Sequence, residues 1–112
     1  MVAMVKTGQR DRRLELLELR QRRDSANAPV EEWVPIATVW AAKTDVSDGE
    51  RVRAQEVGAS ITTRFVVAWS AAAAGMTRKN RLREGATEYE ISGKKEIGRK
   101  QGIEFTASAR VE

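Results

Sequence analysis

The chain has 112 residues, 20 of them basic and 16 acidic, for a net charge of +4, and it contains neither cysteine nor histidine. That length suits one domain with a small core, and 41% hydrophobic against 32% charged residues excludes a disordered acidic tail. The missing residue types exclude disulfides, thiolate nucleophiles, Cys/His zinc sites and serine–histidine–aspartate chemistry.

No run of 18 apolar residues occurs, so no membrane-spanning helix is expected. The charge is interspersed. Residues 1–24 hold 7 basic and 4 acidic side chains, residues 25–75 hold 4 and 6, and residues 76–112 hold 9 and 6. A DNA reader shows a more one-sided stripe, so the mixture reads first as a solvated surface.

Residues 1–9 lack the apolar segment of a signal peptide and read as a flexible arm before a single domain over 10–112. The next segment, Arg12 to Arg23, is ambiguous. Propensity favours a helix, whereas a strand needs a phase change near Leu16–Leu17, which a bulge supplies. Trp33 to Lys43 reads as a strand with apolar groups on both parities, and Pro35 suits its edge or its beginning. Asp45 to Glu56 offers Ser47 or Asp48 as an N-cap and Glu50 in the first turn, predicting one or two helical turns.

The clearest pattern spans residues 57–69. Val57, Ala59, Ile61, Thr63, Phe65, Val67 and Trp69 share one parity, and the opposite parity is mostly small or polar. Period 2 with β-branched and aromatic enrichment predicts a long strand with one buried face. A short strand around Leu82 and a turn at Gly85 lead to a strand carrying Tyr89 and Ile91. Gly93 to Gly102 reads as a turn region, and Ile103 to Val111 alternates as a final strand. The fold expected is all-β: a small single-domain barrel or sandwich of about six strands, with long loops and one short helical segment. Its core candidates are Val39, Trp40, Ile61, Phe65, Val67, Trp69, Tyr89, Ile91 and Phe105.

Taken in order, these residues resemble a family. Gly8 to Leu14 leads into a strand, a polar loop ends in Glu32-Trp33, and Ala37-Thr38-Val39-Trp40-Ala41-Ala42 is the most distinctive element. Glu50, Ala54 and Gln55 follow, then Thr63, Arg64, Phe65 and Val67, and finally Leu82, Gly85, Tyr89, Ile91, Gly98 and Arg99. The set is similar to the head–tail joining proteins of long-tailed phages, prophages and gene-transfer particles, also called head-closure or stopper proteins. It covers about residues 8–111. Two features depart from the family pattern: the first strand ends Leu-Leu-Glu-Leu rather than Ile-x-Ile, and Asn27 and Ala28-Pro29 replace the usual glycine before Trp33.

The resemblance implies a β-barrel subunit of a homo-oligomeric ring. It implies adaptor and portal proteins on the head side, and a tail terminator or tail tube protein on the tail side. DNA passes without sequence-specific contact, and no cofactor, membrane or catalysis is involved. The implied location is the virion or phage-like particle, at its head–tail interface, after assembly in the bacterial cytoplasm. The resemblance also makes Arg12–Arg22 a strand, against local propensity. A different class of function, a monomeric SH3- or Tudor-like barrel binding nucleic acid or peptide, stays open beside it.

Trp33, at a loop-to-strand junction, is a subunit-interface candidate because tryptophan is enriched at interfaces. Asp48, Glu50, Arg51, Arg53 and Glu56 hold both signs of charge and are candidates for pairing across a ring interface. Lys94, Lys95, Arg99 and Lys100 are candidates to face the channel or an acidic partner. The apolar run Ser70 to Met76 reads either as a tip that orders against a neighbouring ring or as a tight connection. Asp45, Asp48 and Glu50 lack calcium-loop spacing, so no metal site is expected.

Overall fold

The computed structural model describes residues 10–56 and 62–110. It is a closed barrel of six strands, β1 (Arg12–Arg23), β2 (Pro29–Asp45), β3 (Thr63–Ala68), β4 (Arg81–Glu84), β5 (Thr87–Ile97) and β6 (Gly102–Ala109), in the order β1-β2-β3-β6-β5-β4. All neighbours are antiparallel. Two short helices, α1 (Asp48–Glu56) and α2 (Ala71–Ala74), flank β3.

The ambiguous leucine segment is a strand. Its pairing with β2 shifts register between Leu16 and Leu17, where Ile36 is the extra residue on β2. The bulge leaves the alternation of β1 intact: Leu16 and Leu17 are both fully buried, and Leu16 belongs to the barrel core whereas Leu17 does not. Leu14 and Leu16 join Phe65, Val67, Phe105 and Ile103 in the core. Tyr89 meets Phe65 edge to face with centroids 5.0 Å apart. Each such side chain contributes about 1.5–3 kcal/mol through burial.

Trp40 corrects the expected core: it is 56% exposed. Downstream of the bulge the inward parity of β2 is Ala37, Val39 and Ala41, so Trp40 points outward. Val39 and Trp69 are only partly buried against the core. Phe65, Val67, Tyr89, Ile91 and Phe105 lie inside it. Val57 and Ile61, part of the long strand expected from residue 57, lie outside the described residues, and β3 begins at Thr63.

The turn expected over Gly93 to Gly102 is also corrected. β5 continues to Ile97 after a register shift between Ile91 and Gly93, and it pairs with β6 throughout. Its second half looks like a loop because β4, which begins at Arg81 opposite Glu90, pairs with no residue of β5 beyond it, leaving residues beyond Ile91 with one neighbouring strand and a solvated face. The turn proper holds Gly98 at φ 60° and Lys100 at φ 56°.

The apolar run after Trp69 is a tight connection. The Ser70 hydroxyl accepts from the Ala73 amide at 3.1 Å, capping α2. Ala73 and Met76 are buried in the core, so this segment plugs the barrel.

Beyond Leu17 the hairpin β1–β2 runs on as a two-stranded ribbon. At its tip the Asp24 carboxylate accepts from the Ala26 and Ala28 amides, both at 2.9 Å, and Asn27 takes a φ of 63°. Six residues per strand reach about 20 Å, and the described residues measure 55 × 32 × 23 Å overall.

Candidate assembly surfaces

α1 starts where sequence places it, with Ser47 Oγ accepting from the Glu50 amide at 3.2 Å. Its charges split into two groups. Glu50 faces the barrel and accepts from both terminal nitrogens of Arg64, one at 2.9 Å. Arg64 also lies 3.8 Å from Glu104, so this network ties α1 to β3 and β6. Asp48 is almost wholly exposed and 3.6 Å from Arg51. Arg53, Glu56 and Val52 are exposed, and neither Arg53 nor Glu56 has an ion pair among the described residues. The outer face of α1 thus offers both signs of charge around an apolar Val52.

Trp33 stands on β2 at the root of the ribbon. The Arg81 guanidinium lies over its ring, 4.1 Å from the centroid. Trp33 and Arg81 help line a cleft of about 280 Å³ with Arg78, Lys79, Asn80 and Glu90.

The four basic candidates do not form one patch. Lys94 and Lys95 are consecutive on β5 and point to opposite faces. Lys94 donates to the Ala74 carbonyl at the end of α2, and Lys95 lies 3.9 Å from Glu104. Arg99 and Lys100 sit in the β5–β6 turn, with Lys100 Nζ 4.9 Å from the Trp69 ring centroid.

Sequence reasoning missed a second surface. Trp40 and Trp69 line a mostly apolar groove of about 340 Å³ with Val39, Ala68, Ser70 and Arg10. Arg13 lies over Trp40 at 5.6 Å, and Trp69 Nε1 donates to Glu96 at 3.2 Å. The signal was available: with Ala37, Val39 and Ala41 assigned inward, Trp40 has to face out.

Ion pairs within the chain absorb much of the remaining charge. Lys43 donates to Glu84 at 3.1 Å, which raises the lysine's pKa, and Arg12 approaches the same carboxylate at 3.5 Å. Among the described residues no three Asp or Glu side chains gather as metal ligands, and no helix is long and apolar enough to cross a membrane.

Comparison with solved structures places the barrel among known folds. It is similar to the solution structure of protein SF1141 from Shigella flexneri 2a, with a TM-score of 0.72 at 20% identity, covering 96% of this chain and 99% of that one. It is also similar to a chain of the virion of a native gene transfer agent particle, with a TM-score of 0.50 at 23% identity, covering 87% and 91%. At these identities the likeness is one of fold. A search of curated proteins gives no match. The family profile described as phage head completion protein matches residues 5–110. That span takes in all six strands and both helices, so the chain belongs to the phage head completion protein family.

Proposed function

We propose that the protein is a structural subunit of a head–tail connector ring that closes the DNA-filled capsid below the portal and adaptor and docks the tail, without catalysis. The observation that carries this reading is the match of residues 5–110 to phage head completion proteins. The fold shared with a chain of a gene transfer agent virion supports a place in a phage-like particle.

In this reading the copies form a homo-oligomeric ring with adaptor and portal on one side and a tail terminator or tail tube on the other. The outer face of α1, with Asp48, Arg51, Arg53 and Glu56, and the exposed part of Trp33 meet neighbouring subunits. Glu50 acts inside the subunit by holding α1 to Arg64. Arg99 is the basic candidate best placed for passing DNA or an acidic partner, being exposed and without an ion pair among the described residues. Contact with DNA is to its phosphates and carries no sequence information.

Negative-stain imaging of the chain mixed with a portal–adaptor assembly tests the reading. A ring added below the adaptor is expected. Binding of short nucleic acid or peptide by the monomer, with no ring on the assembly, replaces this reading with that of an SH3- or Tudor-like binding module.

A further inference from the structure

The ribbon is a sheet fragment with two open edges. β1 pairs with β2 along its whole length, but on its other side β4 covers only Glu15 to Leu17. β2 is covered on its other side by β3 only from Ala41 to Asp45. Among the described residues, then, residues 18–23 and 29–40 each have one edge with no strand beside it. The outward backbone N–H and C=O groups of such edges are templates for pairing with another chain. A lone two-stranded ribbon is also only marginally stable in water.

The two strands differ in charge. Residues 18–23 carry Arg20, Arg22 and Arg23 against Glu18 alone, whereas residues 29–34 carry Glu31 and Glu32 and no basic side chain. Arg20 pairs with Glu18 and Arg22 with Glu32 inside the ribbon, which leaves Arg23 on one strand and Glu31 on the other as the charges with no ion pair among the described residues. Laying β1 against β1 of another copy brings like charges together, and so does laying β2 against β2. The edge that complements the basic strand is the acidic strand of a second copy of this chain. Leu19, 43% exposed and opposite Trp33 in the ribbon, provides apolar surface for such a contact to cover.

We infer that ribbons of neighbouring copies pair edge to edge, residues 18–23 of one copy beside residues 29–34 of the next. β1 and β2 are antiparallel within one ribbon, so ribbons pointing the same way continue an antiparallel sheet from copy to copy. The contact is heterologous, the kind that builds a ring when its rotation closes. This inference rests on the ring reading above and names the surface through which the copies meet.

Because the chain has no cysteine, single introduced cysteines report contacts cleanly. Gln21→Cys and Glu31→Cys, both at exposed ribbon positions, are prepared separately, mixed at high concentration and oxidised. Each chain carries one thiol, so every link is between copies. With the two chains in equal amounts, chance coupling makes the mixed 21–31 dimer half of all links, and edge pairing raises it well above that half. A mixed dimer at or below half of the links, or no link at all, overturns it. As a second measurement, Glu32→Lys in the Glu31→Cys chain should remove the excess of the mixed link, and Arg22→Glu with Arg23→Glu in the Gln21→Cys chain should restore it. Failure of restoration overturns the charge argument even if all variants fold. Imaging on the portal–adaptor assembly decides the ring reading separately. A ring without the 21–31 link overturns edge pairing alone, whereas a 21–31 link with no ring on the assembly overturns the ring and leaves edge pairing standing.

Discussion

Arg83 and Glu15 form a two-pronged ion pair across the seam between β4 and β1, with Nε and Nη2 donating at 3.1 and 2.9 Å to the two carboxylate oxygens. Across this seam only Glu15, Leu16 and Leu17 are in register with Arg83, Leu82 and Arg81, so the pair clasps the narrowest joint of the barrel. The hydrogen bond from Arg83 holds the Glu15 carboxyl below its ordinary pKa and raises that of Arg83. A carboxyl with a lowered folded pKa contributes its stabilisation above the unfolded value of about 4.3, and the contribution is lost as pH falls through the folded value. Glu15→Gln is expected to cost about 1 kcal/mol or less at neutral pH. It should also reduce the loss of stability on acidification. Urea unfolding midpoints followed from neutral pH down through the carboxylate range check both.

Phe65 and Trp40 are expected to respond in opposite ways to truncation. Phe65 is fully buried against Tyr89, so Phe65→Ala should cost about 3–5 kcal/mol by transfer and cavity formation. Trp40 is exposed beneath Arg13, so Trp40→Ala should change stability by about 0.5 kcal/mol or less. If the Trp40–Trp69 groove is a partner surface, particle assembly falls in the Trp40 variant although the fold is intact. Thermal melts and counts of tailed particles separate the two effects.

The charges of α1 divide in the same manner. Among the described residues, reversing Arg51 and Arg53 together to Glu removes one ion pair, that of half-buried Arg51 with the exposed Asp48, and such pairs contribute about 0–1 kcal/mol. The melting temperature should stay within a few degrees while incorporation into particles is lost. Arg64→Ala strips the half-buried Glu50 of its partner and removes the link to Glu104, so it should lower the melting temperature of the isolated chain. Tailed particles at the parental level from the Arg51/Arg53 double variant would show that α1 is merely solvated.

Gly98 turns the chain from β5 into β6 with φ at 60°, and a Cβ there would meet the Gln101 side chain at 2.6 Å. The left-handed backbone costs an L-residue about 1–2 kcal/mol, and Gln101 must also swing away. Gly98→Ala is expected to lower stability by about that amount, and Gln101→Ala in the same chain should recover only the part due to crowding. Denaturant midpoints of the single and double variants measure the split.

Much of the barrel was legible in period-2 alternation: Phe65 and Val67, Tyr89 and Ile91, and Ile103 and Phe105 announce inward faces that the fold retains. The Ser47 cap was readable for the same local reason, a short polar side chain placed ahead of an acidic first turn. Bulges broke the reading. Ile36 changes the phase of β2 and turns Trp40 outward, and the shift between Ile91 and Gly93 hides a charged continuation of β5. Arg12 to Arg23 obeyed its partners rather than its propensity, because two flanking strands decide what four leucines alone leave open. The ribbon's open edges were invisible in sequence, since edge status depends on which strands stop short.

Ala73 and Met76 close one region of the barrel, and Phe65, Phe105 and Leu14 fill its inside. The subunit is therefore solid where a larger barrel would have a lumen. On the proposed reading, a nucleic-acid thread passes alongside these barrels and never through one. The bore of the assembly is then a property of how many copies stand around it and how far each leans inward. Substitutions among the interior side chains can weaken a copy, but only those on its outer surface can widen or narrow the passage.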